Sequence, residues 1–180
     1  MNYGNDVDLG TDVALEQIAV GDEFTCGLTD DGRVKCWGHN DHGQLGKGNT
    51  DNIGDESNEM SDNLGVTTLG DDFNGYVTEI CVGGGHSCAL NDNYTVKCWG
   101  KNEYGQLGQG DTDNRGDGGG EMGNHLDSID FGTDFYVEHV VCGKQHSCVV
   151  STDGDIKCWG MSFPRTFFDY ISMKSAGIIF

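Results

Sequence analysis

Cysteine is the residue whose spacing in this chain most clearly invites chemistry. Six of its eight cysteines form three pairs ten residues apart: Cys26 and Cys36, Cys88 and Cys98, Cys148 and Cys158. Such a pair can close a hairpin as a disulfide, hold a soft metal as two thiolates, or fill a small apolar space as two thiols. His86 and His146 stand two residues before the second and third pairs, where an imidazole offers a metal ligand or a general base. Asp111, Asp113, Asp117 and Glu121 lie in one loop and offer carboxylate oxygens of the kind calcium takes. The EF-hand spacing fails there, because Arg115 occupies a ligand position and the glutamate comes one residue early. A solvated acidic turn is the expectation for that loop, and no cofactor is expected for the chain. Asn93-Tyr94-Thr95 is a glycosylation acceptor sequence.

The elements that position these groups are repeats. CGLTDDGRVKCWG (26–38), CALNDNYTVKCWG (88–100) and CVVSTDGDIKCWG (148–160) align without gaps. Their first cysteines are 62 and then 60 residues apart. The match extends upstream in all three copies and downstream in the first two, and VDLGT at 7–11 corresponds to IDFGT at 129–133. The period inside each unit is two, so Cys26, Leu28, Val34 and Cys36 share one face of a hairpin, with Lys35 and Trp37 on the other. Asp30-Asp31-Gly32 suits a three-residue turn with glycine in the left-handed position, which sets Cys26 opposite Cys36. The middle unit has Tyr94 where glycine is expected, and Asn93 is expected to take the left-handed role instead. A strand precedes each hairpin (about 13–20, 76–82 and 136–142), and a weaker fourth ends at Leu69 or Phe131. Four short antiparallel strands per repeat predict an all-β chain, a partial β-propeller of about three four-stranded blades in an open arc. Residues 1–12 are read as the end of a preceding repeat, 13–72, 73–134 and 135–160 as successive blades, and 161–180 as an apolar tail, a cap or a truncation, outside the repeat.

These residues resemble the regulator of chromosome condensation repeat family. The resemblance rests on Gly83 to His86 and Gly143 to His146, and on a Trp-Gly-x-Asn-x-x-Gly-Gln-Leu-Gly motif. The first copy of that motif is Trp37, Asn40, Gly43, Gln44, Leu45 and Gly46; the second is Trp99, Asn102, Gly105, Gln106, Leu107 and Gly108. Trp159 opens a third copy that is not completed, and Phe24 replaces the histidine in the first unit. The resemblance covers about residues 1–160. It implies a propeller that is seven-bladed when complete, used mainly for protein contacts, and a subgroup with paired cysteines found in secreted or surface proteins. It also explains His86, His146 and the tryptophans as structural residues. The family's plant ultraviolet-B photoreceptors cluster tryptophans, but one per blade at a packing position does not establish that function.

With the register fixed, directly opposed cysteines stand at disulfide distance, and three hairpin bridges are the expectation; free thiols and zinc are the alternatives. Cys81 aligns with Val141, and Cys142 with Val82, so the two point to opposite faces of their strands and are expected to be buried free thiols. Arg115-Gly116-Asp117 reads as an adhesion tripeptide, yet Ile53-Gly54-Asp55 stands at the same place in the other copy, so Gly-Asp reads as loop architecture.

Composition narrows the function. Thirty acids against ten basic residues give a net charge of −20, which disfavours nucleic acid and anionic membranes as partners. Thirty glycines in 180 residues argue against a helix bundle. No apolar stretch is long enough for a membrane span. The expectation is a non-enzymatic protein-interaction module, extracellular or on the cell surface because disulfides require an oxidising compartment. Its partner is a protein of unknown identity, with further blades in a longer chain or an oligomer. Alternatives are guanine-nucleotide exchange on a small GTPase, with a cytoplasmic or nuclear home, and inhibition of a secreted enzyme.

Overall fold

In the computed structural model, residues 6–73 and 75–161 are described; the tail reading for 161–180 and the start of the 1–12 segment therefore fall largely outside the described residues. Among the described residues, nine strands form three antiparallel sheets. The first holds β1 (Leu15–Val20), β2 (Phe24–Thr29) and β3 (Val34–Gly38). The second holds β4 (Val77–Val82), β5 (His86–Asn91) and β6 (Val96–Gly100). The third holds β7 (Val137–Cys142), β8 (His146–Ser151) and β9 (Ile156–Gly160). The sheets stack as blades of an open propeller arc.

The hairpins have the register that turn chemistry dictates. Cys26 faces Cys36, Cys88 faces Cys98 and Cys148 faces Cys158. Gly32 and Gly154 adopt φ of 75° and 83° at the turns. In the middle blade the left-handed residue is Tyr94 itself, at φ 63°, not Asn93. Asn91 makes this tolerable, because its Oδ1 accepts the N–H groups of Asn93 and Thr95 at 3.1 and 2.9 Å. The Tyr94 ring also packs edge-on against Tyr136, with centroids 5.6 Å apart. In the first two blades the fourth strand is reduced to one ladder bond: Thr67 N–H donates to Val34 C=O at 2.8 Å, and Ile129 N–H to Val96 C=O at 2.9 Å. These two blades are therefore three-stranded with an extended outer segment, because the long loops before 67 and 129 consume the residues that would continue the ladder.

Alternation along each strand gives every sheet two faces with different neighbours. The forward face of the first blade (Cys26, Leu28, Val34, Cys36) packs with Leu45 against Ile80, Ala89 and Trp99 on the rear face of the second. The forward face of the second (Cys88, Leu90, Val96, Cys98) packs against Val140, Val149 and Trp159 on the rear face of the third. Among the described residues, both hydrophobic cores thus lie between blades, and no blade has a core of its own.

Candidate interaction surface

The motif residues are the joints between blades. The Gln44 carbonyl, on the Gly-Gln-Leu-Gly turn of the first blade, accepts from Ser87 Oγ and Trp99 Nε1 of the second, both at 3.0 Å. The Gln106 carbonyl accepts in the same way from Ser147 Oγ at 3.0 Å and Trp159 Nε1 at 2.8 Å. The turns are held by buried asparagines. Asn40 Oδ1 accepts Leu45 N–H at 2.9 Å while its Nδ2 donates to the carbonyls of Asn49 and Asp51, and Asn102 repeats this toward Leu107, Asp111 and Asp113. Glycine is required at Gly46, where φ is 66° and a Cβ would stand 2.9 Å from Trp99 Nε1.

His86 is fully buried, and its Nε2 lies 2.9 Å from Ser147 Oγ of the next blade. The pair has the spacing of a base and a nucleophile but the wrong proton direction. Ser147 commits its single proton to the Gln106 carbonyl, so His86 Nε2 must donate to Ser147, leaving Nδ1 unprotonated and without a hydrogen-bond partner. Burial, with His146 adding a smaller charge effect, pushes the His86 pKa down to about 4. This histidine is a neutral inter-blade donor.

Two further joints recur that the sequence reading passed over. Lys35, on the hairpin face opposite the cysteines, and its counterparts Lys97 and Lys157 point backward, and each ammonium donates to a carbonyl ending the preceding unit: Leu9 at 2.6 Å, Leu69 at 2.8 Å and Phe131. Lys97 is completely buried; it also meets Asp72 at 2.8 Å and lies over the Phe73 ring. That hydrogen bond holds the Asp72 carboxyl below its ordinary pKa. The signal was the lysine repeated in every VKCWG or IKCWG. At the inner strands, the Gln17 amide pairs with both backbone groups of Ile80 at 2.8 and 2.9 Å, and Glu79, at the equivalent position, accepts Val140 N–H at 3.0 Å.

The cysteines depart from expectation at one place. The three hairpin pairs are bridged, with S–S distances of 2.11, 2.06 and 2.12 Å. Cys81 and Cys142 are not free thiols but bridge the second blade to the third, at 2.01 Å. Their opposite strand faces are the physical reason. The forward face of one blade meets the rear face of the next, so a forward cysteine and a rear cysteine one blade apart come together.

Of the acidic loop residues, Asp111, Asp117 and Glu121 are engaged within their own loop. Glu121 accepts the N–H groups of Gly116 and Gly118, at 3.0 and 2.8 Å, and Glu59 does the same for Gly54 and Glu56. Asp117 accepts from Asn114 Nδ2, and Asp111 pairs with Arg115 at 2.6 Å. The Arg115 guanidinium is thereby folded back on its loop and not presented as an adhesion arginine. Among the described residues, the group placed to share a metal ion is Cys81, Cys88 and Cys142, whose sulfurs are in disulfides. Asn93 stands exposed at its turn. Among the described residues no helix is long and apolar enough to cross a membrane.

What remains on the outside is acidic loop and two open sheet ends. On the rear face of the first blade, Ile18 and Val20 are 59% and 69% exposed, while their counterpart Ile80 is 2% exposed. On the forward face of the third, Val141 and Ile156 are 53% and 49% exposed, against 0% for Val96. A cleft of about 500 Å³ beside Trp37, lined also by Asp8, Ile53 and Met60, lies on the rear side where Trp99 and Trp159 meet a neighbouring turn. A second, of about 460 Å³, is lined by Asp22, Glu23, His42, Lys101 and Lys144 from all three blades.

Stacked three-stranded sheets, joined by motif residues and bridged by disulfides, define a propeller-repeat array. The sequence profile described as the regulator of chromosome condensation (RCC1) repeat matches residues 16–44, 77–106 and 137–163. The chain belongs to this repeat family. Probable E3 ubiquitin-protein ligase HERC4 of Homo sapiens is 33% identical over 150 residues, which are 83% of this chain and 13% of that protein. Protein RCC2 homolog of Danio rerio is 32% identical over 138 residues, 74% of this chain and 23% of that protein. The chain thus spans a small part of the curated relatives it matches. In fold it is similar to human WBSCR16 (24% identity, TM-score 0.65, covering 92% of this chain and 38% of that one). It is similar also to Prp20p of Saccharomyces cerevisiae (22% identity, TM-score 0.63, 86% of this chain and 32% of that one).

Proposed function

We propose that this chain is a non-enzymatic protein-interaction module, an acidic, disulfide-stapled propeller segment of a secreted or cell-surface protein. The observation that carries the reading is the division of labour among its polar residues. The motif serines, histidine, lysines, asparagines and tryptophans with chemical potential are spent on joints between blades or inside turns, and the acidic loops are left facing solvent. A surface of that charge attracts basic protein surfaces. The four bridges support an oxidising compartment.

Guanine-nucleotide exchange is the second reading, favoured by the likeness to Prp20p, whose structure is described with its binding to Gsp1p and histones. The charge of −20 opposes the histone part of that likeness. Two measurements decide. Thiol titration of denatured protein isolated from its natural source is expected to find no reactive cysteine; eight would defeat the secreted reading. Nucleotide release from a panel of small GTPases is expected to be unchanged by the chain, and acceleration of any member would replace the module reading with exchange.

A further inference from the structure

Blade two carries a row of three cysteines across its sheet where the other blades carry two. Cys81 on β4 is directly opposite Cys88 on β5, and Cys88 is directly opposite Cys98 on β6. The position of Cys81 holds Ala19 in the first blade and Val141 in the third. Cys142 enters the same row from the next blade, and the Cys81, Cys88 and Cys142 sulfurs all lie within 4.8 Å of one another. The four sulfurs are paired as Cys88–Cys98 and Cys81–Cys142. A second pairing is open to them, because directly opposed residues of an antiparallel pair stand at about 4.5–5.5 Å, inside the range of a disulfide. Access is graded: Cys88 and Cys98 are sealed in the core, whereas Cys142 is half-buried.

We propose that Cys81, Cys88, Cys98 and Cys142 form a thiol–disulfide exchange site that a low-molecular-weight thiol enters at Cys142. The thiolate of the small molecule attacks Cys142 Sγ; a mixed disulfide forms, the Cys81–Cys142 bond breaks, and the electron pair leaves on Cys81. The Cys81 thiolate then attacks Cys88 Sγ; the Cys81–Cys88 bond forms, the Cys88–Cys98 bond breaks, and the pair leaves on Cys98. The proton lost by the incoming thiol ends on Cys98. Two disulfides exist before and two after, so nothing is oxidised or reduced overall. The covalent tie between the second and third blades is exchanged for the mixed disulfide on Cys142, and the bridge inside the second sheet moves from Cys88–Cys98 to Cys81–Cys88.

The test is a time course of the whole chain with reduced glutathione, quenched in acid, alkylated and mapped by peptide mass spectrometry. The expected products are Cys142 carrying glutathione, a Cys81–Cys88 linked peptide and alkylated Cys98. The internal control is Cys36, whose bridge to Cys26 is equally buried and lacks a third cysteine. Cys98 is expected to appear at least about tenfold faster than Cys36, since an attacking sulfur held beside its target acts at a high effective concentration. In the Cys81→Ser, Cys142→Ser double variant, which leaves no neighbouring sulfur to attack Cys88, the advantage of Cys98 over Cys36 is expected to vanish. Equal rates for Cys98 and Cys36, or loss of the Cys81–Cys142 bridge with no Cys81–Cys88 peptide, would overturn the proposal. The wild-type time course decides by itself should the double variant fail to fold.

Discussion

Two buried side chains of opposite electrostatic character, His86 and Lys97, make the array's joints measurable at the scale of single residues. The folded pKa of His86 is depressed to about 4, below its unfolded value near 6.5. The unfolded chain therefore binds the extra proton first. The contribution of His86 is complete above about pH 6.5, declines as pH falls toward 4, and is constant below that. The loss over this window is on the order of 3 kcal/mol. Urea midpoints measured from pH 7 to 4 are expected to fall in the wild type, and to fall less in His86→Phe, which copies Phe24 from the first blade. Lys97 behaves differently because its charge is already partnered. Lys97→Met strands the carbonyls of Leu69 and Gly123 in the core, an expected cost of about 2 kcal/mol in urea unfolding. Lys144→Ala removes an exposed pair with Asp22 and is expected to leave the midpoint where it was.

At the scale of the element, the hairpin is where local sequence and structure agree most closely. Its register follows from a three-residue turn and a two-residue period, both readable from thirteen residues, and the cysteine pairs follow from the register. Tyr94 shows the limit of such reading: the turn geometry persists without glycine, and the tyrosine itself takes the left-handed conformation. Tyr94→Gly and Tyr94→Ala lose the same ring contact with Tyr136 but differ in backbone cost. Thermal unfolding is expected to find the glycine variant more stable by about 1 kcal/mol. The fourth strand was less legible, because the loops preceding Thr67 and Ile129 hold their own carboxylate and asparagine bonds and leave one ladder bond for the sheet.

The contacts that sequence reading missed belong to the scale of the whole molecule. Cys81 and Cys142 lie in successive blades on opposite strand faces, an arrangement that brings them together only because the blades stack forward face to rear face; no local period reveals that stacking. Lys35, Lys97 and Lys157 were visible as a repeated letter, but their partners lie some 26 to 28 residues earlier, in the unit before. The same stacking leaves Ile18 and Val20 uncovered at one end and Val141 and Ile156 at the other. Apolar sheet ends of this kind associate. Sedimentation velocity is expected to show the wild-type chain growing with concentration and the Ile18→Lys, Val20→Lys double variant remaining at the monomer rate.

Every joint runs one way: a forward cysteine, glutamine carbonyl or histidine of one blade meets a rear serine, tryptophan or cysteine of the next. Contact through these faces is heterologous, so two chains joined by them have no twofold axis and always present one forward and one rear end. Growth by that contact terminates only when rotation returns the last end to the first, and otherwise continues as a screw.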